Sequence, residues 1–277
     1  MTAAPAIVLN VLREAAVRRW LHALALAVTL GLVLLAAGLD TTLVGGVASG
    51  VRLFGRLVQA DVVSADVAVK PFLRASAYAV FYGCAILMCV ATADIAPSLL
   101  APGRVEQLLA LPVRRWELVI GVYLGVLILA SIAALYAAIG VNVILGWHTG
   151  VWSFGVFGAT ALALLSFSTQ YAAMVVVAVV TRSTVLSIAA GLGMLALGVV
   201  AGVRDLVAGL LDPGVGRSIF LWLFRIPPPS SALAAAAGDL ATGHASAPAL
   251  AIQAIQFVFA AGALMAIAVA AMHHRDY

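Results

Sequence analysis

Lys70 is the single lysine of the chain, and Pro71 follows it. A phosphate-cradling loop needs a glycine-rich turn in which Lys is followed by Ser or Thr. This polypeptide therefore carries no Walker A site, and any ATP chemistry must belong to another subunit. His273 and His274 are adjacent, but His22, His148 and His244 are scattered. A metal site needs further ligands at suitable spacing, so none is expected. Cys84 and Cys89 stand five apart in one apolar run. On a helix they occupy different faces and read as inert buried thiols rather than a disulfide or a metal pair. No nucleophile–base set is present. The chain is expected to have no catalytic residues and no cofactor of its own.

The remaining polar groups at interior positions are Asn142, Ser166, Ser168, Thr169, Gln170, Gln253 and Gln256. In an apolar environment such side chains commonly bond from one helix to the next. The sharper reading makes Asn142, Ser166, Thr169, Gln170, Gln253 and Gln256 the lining of a substrate path. No Asp, Glu, Lys or Arg falls in the long apolar runs. Proton- and ion-coupled carriers place such groups at membrane depth, so a secondary carrier is disfavoured.

The most polar interval between two apolar runs is DIAPSLLAPGRVEQLLALPVRRWELVIGVYLG, residues 94–125. Pro97, Pro102 and Gly103 interrupt the run before it. A short helix can start near Gly103 and must end by Pro112, because a residue preceding proline is pushed out of α geometry. At a period of 3.6 residues Val105, Leu108 and Leu109 share one side, while Glu106 and Gln107 point away. Arg104 falls in the first turn, where the helix dipole disfavours a cation, so it suits a partner or lipid phosphates better than the helix. Arg114 and Arg115 follow the proline, and Trp116 marks a membrane interface. The expectation is an amphipathic helix on the basic side of a membrane.

These elements need a bilayer to position them. The 277 residues are 65% hydrophobic and 9% charged, with mean hydropathy +1.16. A soluble domain carries about 25% charged residues. Runs of about 18 uncharged residues indicate membrane helices, because lipid offers backbone groups no other partner. The net charge of +4 and pI near 9.4 come from arginines clustered at span ends, which suit membrane lipid and orientation rather than nucleic acid. Residues 3–22 form an amphipathic helix in the headgroup plane; a cleaved signal peptide is the alternative reading of the N-terminal stretch, given Ala36 and Ala37. Spans are expected at 23–39, 75–93, 118–147, 152–180, 184–203 and 249–272. Linkers at 40–74 and 204–248 lie outside, the first with a possible surface helix through Val51, Phe54, Leu57 and Val58. The alanine-rich part of the second is a further helical candidate. His148–Gly150 and Thr181–Ser183 are tight turns. Gly121 with Gly125, and Gly191 with Gly193, permit close helix packing. Six spans place both termini on one side, taken as cytoplasmic: Arg13, Arg18, Arg19, Arg104, Arg114, Arg115, Arg182 and Arg275 lie there, eight against seven basic residues in the outer linkers, and they crowd around short connections and span ends, where the bias is read. The fold class is all-α membrane protein, one transmembrane domain over 1–277.

Gly103, Glu106, Leu108, Leu109, Pro112, Val113, Arg115, Glu117, Leu118 and Gly125 resemble the loop between spans two and three of type-2 ATP-binding-cassette (ABC) exporter permeases. Arg104 replaces a small hydroxyl residue of that pattern, Arg114 a serine, and Val122 stands where Lys or Arg is common. The resemblance implies that 3–22 is an elbow helix and that 94–117 is a cytoplasmic coupling segment. Its ATPase contacts would come from Gly103, Arg104, Glu106, Gln107, Leu108, Leu109, Pro112, Arg114 and Arg115. It implies a permease subunit of an exporter in the bacterial inner membrane, driven through a partner dimer of cytoplasmic ATPases that bring ATP and Mg. A second copy, or a related permease, would complete the homo- or heterodimer. The alternative is a non-transporting anchor or regulatory subunit of a complex.

Overall fold

The computed structural model describes residues 4–17, 19–44, 47–53, 56–59, 63–99, 114–244 and 247–274. It is a bundle of long apolar helices with a small antiparallel sheet at one end. In chain order the helices are α1 (Ala4–Val17), α2 (Arg19–Gly38), α3 (Ala65–Thr92), α4 (Ile95–Leu99), α5 (Arg115–Thr149), α6 (Gly155–Thr181), α7 (Thr184–Gly202), α8 (Arg204–Ala208), α9 (Val215–Leu223), α10 (Ser230–Ala241) and α11 (Ala247–His273). Five helical stretches are long and apolar enough to cross a membrane: Val67–Leu99, Arg115–Thr149, Gly155–Thr181, Thr184–Gly202 and Leu250–His273. A bent pair, Pro5–Val17 and His22–Gly38, meets at 69° and raises the number to six if it counts as one span. The chain is thus a multi-pass helical membrane protein by length and composition.

Helix ends follow the breaks in the apolar runs. Gly150 closes α5 in the left-handed region at φ 71° and donates its N–H to Gly146, a conformation in which glycine carries no side-chain penalty. Arg182 does the same for α6 at φ 55°. Ser183 then caps α7 by accepting from the Leu186 N–H at 3.4 Å. The buried hydroxyls of Thr92, Thr149 and Thr160 bond back to the carbonyls of Met88, Leu145 and Val156. Each satisfies its donor without a partner helix, which matters where water is absent. At 1.5 Å per residue the 35 residues of α5 extend about 50 Å, well beyond a hydrocarbon layer of about 30 Å.

α6 is the hub. It packs on α3, α5, α7, α10 and α11, and Ala163, Phe167, Tyr171, Ala172 and Ala178 along it are fully buried. Two apolar clusters are stacked along the bundle. One holds Val11, Val126, Phe167, Tyr171 and Met272 near the end that carries α1 and the C-terminal end of α11. The other holds Phe72, Phe81, Leu145, Leu233 and Phe257 at the far end. Lipid tails are as apolar as Leu, so burial itself drives little; close approach of small residues supplies the packing energy. Gly121 and Gly125 illustrate this. A Cβ at either would stand 2.8 Å from Ile7 or Val11 of α1, so α1 lies against the α5 backbone as the Gly-xxx-Gly spacing suggested.

Three expectations need correction. The surface helix through Val51, Leu57 and Val58 is instead part of a sheet; Phe54 lies outside the described residues. Strands β1 (Leu39–Val44), β2 (Val47–Leu53), β3 (Arg56–Gln59) and β4 (Val63–Ser64) pair antiparallel. β2 takes β1 on one edge and β3 and β4 on the other. The register Leu39↔Leu53 to Val44↔Val47 suits the Gly-Gly between β1 and β2, a hairpin signal, and short β-branched runs satisfy either period. Second, α3 starts ten residues before the expected span. Pro71 lies inside it and forfeits one backbone bond, while Val69, Phe72 and Leu73 are all buried and hold the turn helical. Third, α2 begins at Arg19 rather than 23, so His22 and its neighbours belong to α2 and not to the preceding helix.

Candidate functional site

Three features stand out: the end carrying α1 and the end of α11, the polar interior, and the far end closed by α10. At the first, α5 starts on a one-sided cap, in which only the Glu117 side chain takes part. The Arg114 N–H donates to Glu117 Oε2 at 3.1 Å, which holds the buried Glu117 carboxylate against the positive end of the helix dipole. Arg115 Nη1 donates to the Met272 carbonyl at 3.4 Å, tying the start of α5 to the end of α11. Of the expected coupling residues, Arg114 and Arg115 are therefore at this end. Gly103, Arg104, Glu106, Gln107, Leu108, Leu109 and Pro112 lie outside the described residues.

The polar interior is a set of separate bonds. Cys89 Sγ donates to Gln170 Oε1 at 3.3 Å, and Gln170 Nε2 donates to Ser166 Oγ at 3.3 Å. Thr169 Oγ1 donates to the Phe257 carbonyl at 3.2 Å, joining α6 to α11. Tyr123 donates to the Ser168 carbonyl at 3.2 Å, and its ring stacks on Tyr171 at 6.2 Å. Asn142 works elsewhere: its Oδ1 accepts from the Ser153 N–H at 3.1 Å and pins the α5–α6 turn. Gln256 is exposed. Gln253 is half-buried, and its Oε1 has no hydrogen-bond partner among the described residues. The six residues expected to line a path are thus spread over three helices and not gathered around one cavity.

Two lateral crevices are lined by other residues. One of about 410 Å³ lies between α2, α3 and α5, with Gly31, Phe72, Ala79, Gly83, Cys84 and Ala134 among its walls. The second, about 550 Å³, lies between α5, α6 and α11 and includes Tyr123, Ser131, Ser168 and Met265. Both are apolar, with a few hydroxyls and one thiol in their walls. Such surfaces can hold hydrocarbon; they offer no charge to an ionic ligand. Cys84 and Cys89 are free thiols. No group of three or more metal-ligating side chains occurs among the described residues.

The far end shows what the sequence reading missed. α10, inside a stretch read as an external linker, packs into the bundle against α3, α6 and α7. Its Leu233, Ala234 and Ala237 are fully buried. Glycines admit it: Gly198 and Gly202 of α7 face Ser230 and Ser231 so closely that a Cβ would overlap their hydroxyls, and Gly155 faces the Leu240 carbonyl in the same way. Ser231 Oγ donates to Val199 O at 3.0 Å and Ser153 Oγ to Ala241 O at 2.9 Å. Arg74 Nη2 pairs with Asp239 Oδ1 at 3.1 Å, and Lys70 Nζ lies 3.4 Å from His244 Nε2. The glycine pair four apart on α7, facing a Ser-Ser-Ala-Leu start, was the available signal.

Comparison of the chain with family models, with curated proteins and with solved structures returns no match in any of the three.

Proposed function

We propose that this chain is the membrane-spanning half of a type-2 ABC exporter in a bacterial inner membrane. It would convert movement of partner ATPases into opening of a path. The observation that carries the reading is the 103–125 segment, Gly103 to Gly125, whose residues resemble the coupling loop of that family. Its flanks support the reading. α5 opens on the Arg114–Glu117 cap and is tied to the end of α11 through Arg115, so a push on this segment would reach two spans at once. On this reading α1 is the elbow, set at 69° to α2 and keyed into α5 through Gly121 and Gly125. With α2 as the first span the bundle has six. ATP and Mg would come with the ATPase dimer, since Lys70 is the only lysine and no phosphate loop exists.

The interior polar side chains mostly bond to one another or to nearby backbone, so a path through one copy is not favoured. A path between two copies, along exposed helix faces, agrees better with that packing and with the expectation of a homo- or heterodimer. The two apolar crevices suit cargo or lipid with long hydrocarbon parts. The same closed interior is the specific observation favouring the second reading, a non-transporting anchor or regulatory subunit.

The test is association with the ATPase subunit. Replacing Glu106 by Arg reverses the charge that the sequence pattern assigns to the polar side of the coupling segment, and a ten-fold loss of affinity needs only about 1.4 kcal/mol. Glu106→Arg is expected to weaken pull-down of the ATPase at least about ten-fold with membrane levels unchanged. Full binding and stimulation after deletion of Gly103–Leu111 would replace this reading with the anchor subunit.

A further inference from the structure

Between α7 and α10 lies α9, whose most exposed stripe is apolar. At 100° per residue Val215, Ile219, Trp222 and Leu223 of α9 fall in one stripe, continued by Ile226 just past its end. Val215 is 77% exposed, Ile219 60%, Trp222 70% and Ile226 68%. No residue of α9 is buried. The other side holds Arg217 and a contact between the Phe220 and Phe224 rings at 4.7 Å. Nothing among the described residues covers the stripe.

Its place in the chain says what does. α7, apolar enough to cross a membrane, ends at Gly202, and α8 follows after one residue. α10 then returns into the far end of the bundle. α8 and α9 therefore sit where a span leaves the apolar layer, at the end where Trp147 and Phe154 also stand exposed beside the α5–α6 turn. Tryptophan concentrates at that level of a bilayer because its ring is apolar and its N–H polar. Between Gly209 and Pro227 the charges are Asp212, Arg217 and Arg225, a net positive stretch facing whatever lies in that plane.

We propose that α9 lies in the membrane surface at the far end of the bundle. Val215, Ile219, Trp222 and Ile226 sink among the lipid chains, and Arg217 and Arg225 stay at the level of anionic headgroups. The inference rests on the membrane reading of the spans and not on the exporter reading. A single plane of lipid explains both the naked apolar stripe and the cation opposite it. A protein partner would have to supply an apolar groove and leave Arg217 in water.

The experiment places nitroxide labels on single cysteines at 215, 219, 222, 217 and 218, and at 132 as a mid-span control, in a background with Cys84 and Cys89 replaced by serine. Ile132 is 59% exposed on α5. The protein is held in vesicles of phosphatidylcholine and phosphatidylglycerol, and collisions with oxygen and with a water-soluble nickel complex are compared. Labels at 215, 219 and 222 should prefer oxygen and report a depth of about 5–10 Å, while 217 and 218 should prefer nickel. Introducing Glu at both 219 and 222 should turn the label at 215 from oxygen to nickel, and it removes no buried side chain. Equal nickel access at all five positions would overturn the proposal, as would a stripe closed to both reagents, the mark of a second copy or another protein. If the label at 132 is also open to nickel, the membrane reading itself fails.

Discussion

Gly155→Ala should loosen the far end of the bundle, and Gly158→Ala should not. A Cβ at Gly155 would overlap the Leu240 carbonyl oxygen and stand 2.9 Å from its carbon and 3.0 Å from Ala241 Cα. These are backbone atoms, so no rotamer change relieves the contact. At Gly158 the nearest atom is the tip of the Leu240 side chain, 3.5 Å away, an ordinary contact. Alanine gains up to about 1 kcal/mol of helix propensity over glycine in a helix interior, which applies in full at 158 and less at 155, the first residue of α6. Against this, overpacking at 155 costs about 1–3 kcal/mol. Displacing α10 also strains the Ser153–Ala241 hydrogen bond of 2.9 Å, worth about 0.5–1.5 kcal/mol. The net expectation is about 1–3 kcal/mol lost at 155 and none lost at 158. Hydrogen exchange of the amides of Leu233–Ala241 reads it directly. A loss of about 1.4 kcal/mol is ten-fold, so opening of α10 should rise by about that factor or more in Gly155→Ala while the middle of α6 is unchanged. Equal protection in both variants would refute the docking of α10 through Gly155.

Other perturbations separate close packing from open space. Gly125→Val should release α1, because its Cβ would meet the fully buried, β-branched Val11 at 2.8 Å; a cost of about 1–3 kcal/mol should appear as faster proteolysis at Arg13. Gly83→Leu should leave the thermal melting point in detergent unchanged, since no atom lies within 4 Å of a Cβ there and the side chain enters the crevice. Gln170→Leu removes one interhelical bond, to Cys89 of α3, and one within α6, to Ser166; interhelical bonds in membranes average about 0.6 kcal/mol, so unfolding in a denaturing detergent should shift only slightly. A collapse of the fold would contradict that magnitude. The purified chain should neither bind nor hydrolyse ATP, as measured by nucleotide binding and phosphate release.

What was legible in the sequence follows from which force sets each element. The spans are set by uninterrupted apolar length, so 184–203 became Thr184–Gly202 and 249–272 became Ala247–His273. The start of α3 was misread because Lys70, Pro71 and Arg74 look like a linker. Arg74 is tolerated there through Asp239 of α10, a contact 165 positions distant that no local window contains. The sheet of 39–64 was missed because Val51, Leu57 and Val58 fit a helical period as well as a strand. The alanine-rich helix at 230–241 was anticipated, but its depth was not. Alanine is equally at home on a surface and in a core, and only Gly198, Gly202 and Gly155 opposite it decide the matter. In the polar interior the geometry was not readable: Asn142 caps a turn and Thr169 holds α11, positions that follow from helix rotation rather than composition.

The central claim is that this chain works with a separate ATPase, and the most direct measurement is the composition of the complex isolated in mild detergent, determined by native mass spectrometry. The account predicts two copies of this chain, or one with a related permease, bound to two chains that each carry a phosphate loop. A stable assembly with no nucleotide-binding chain in stoichiometric amount would contradict it.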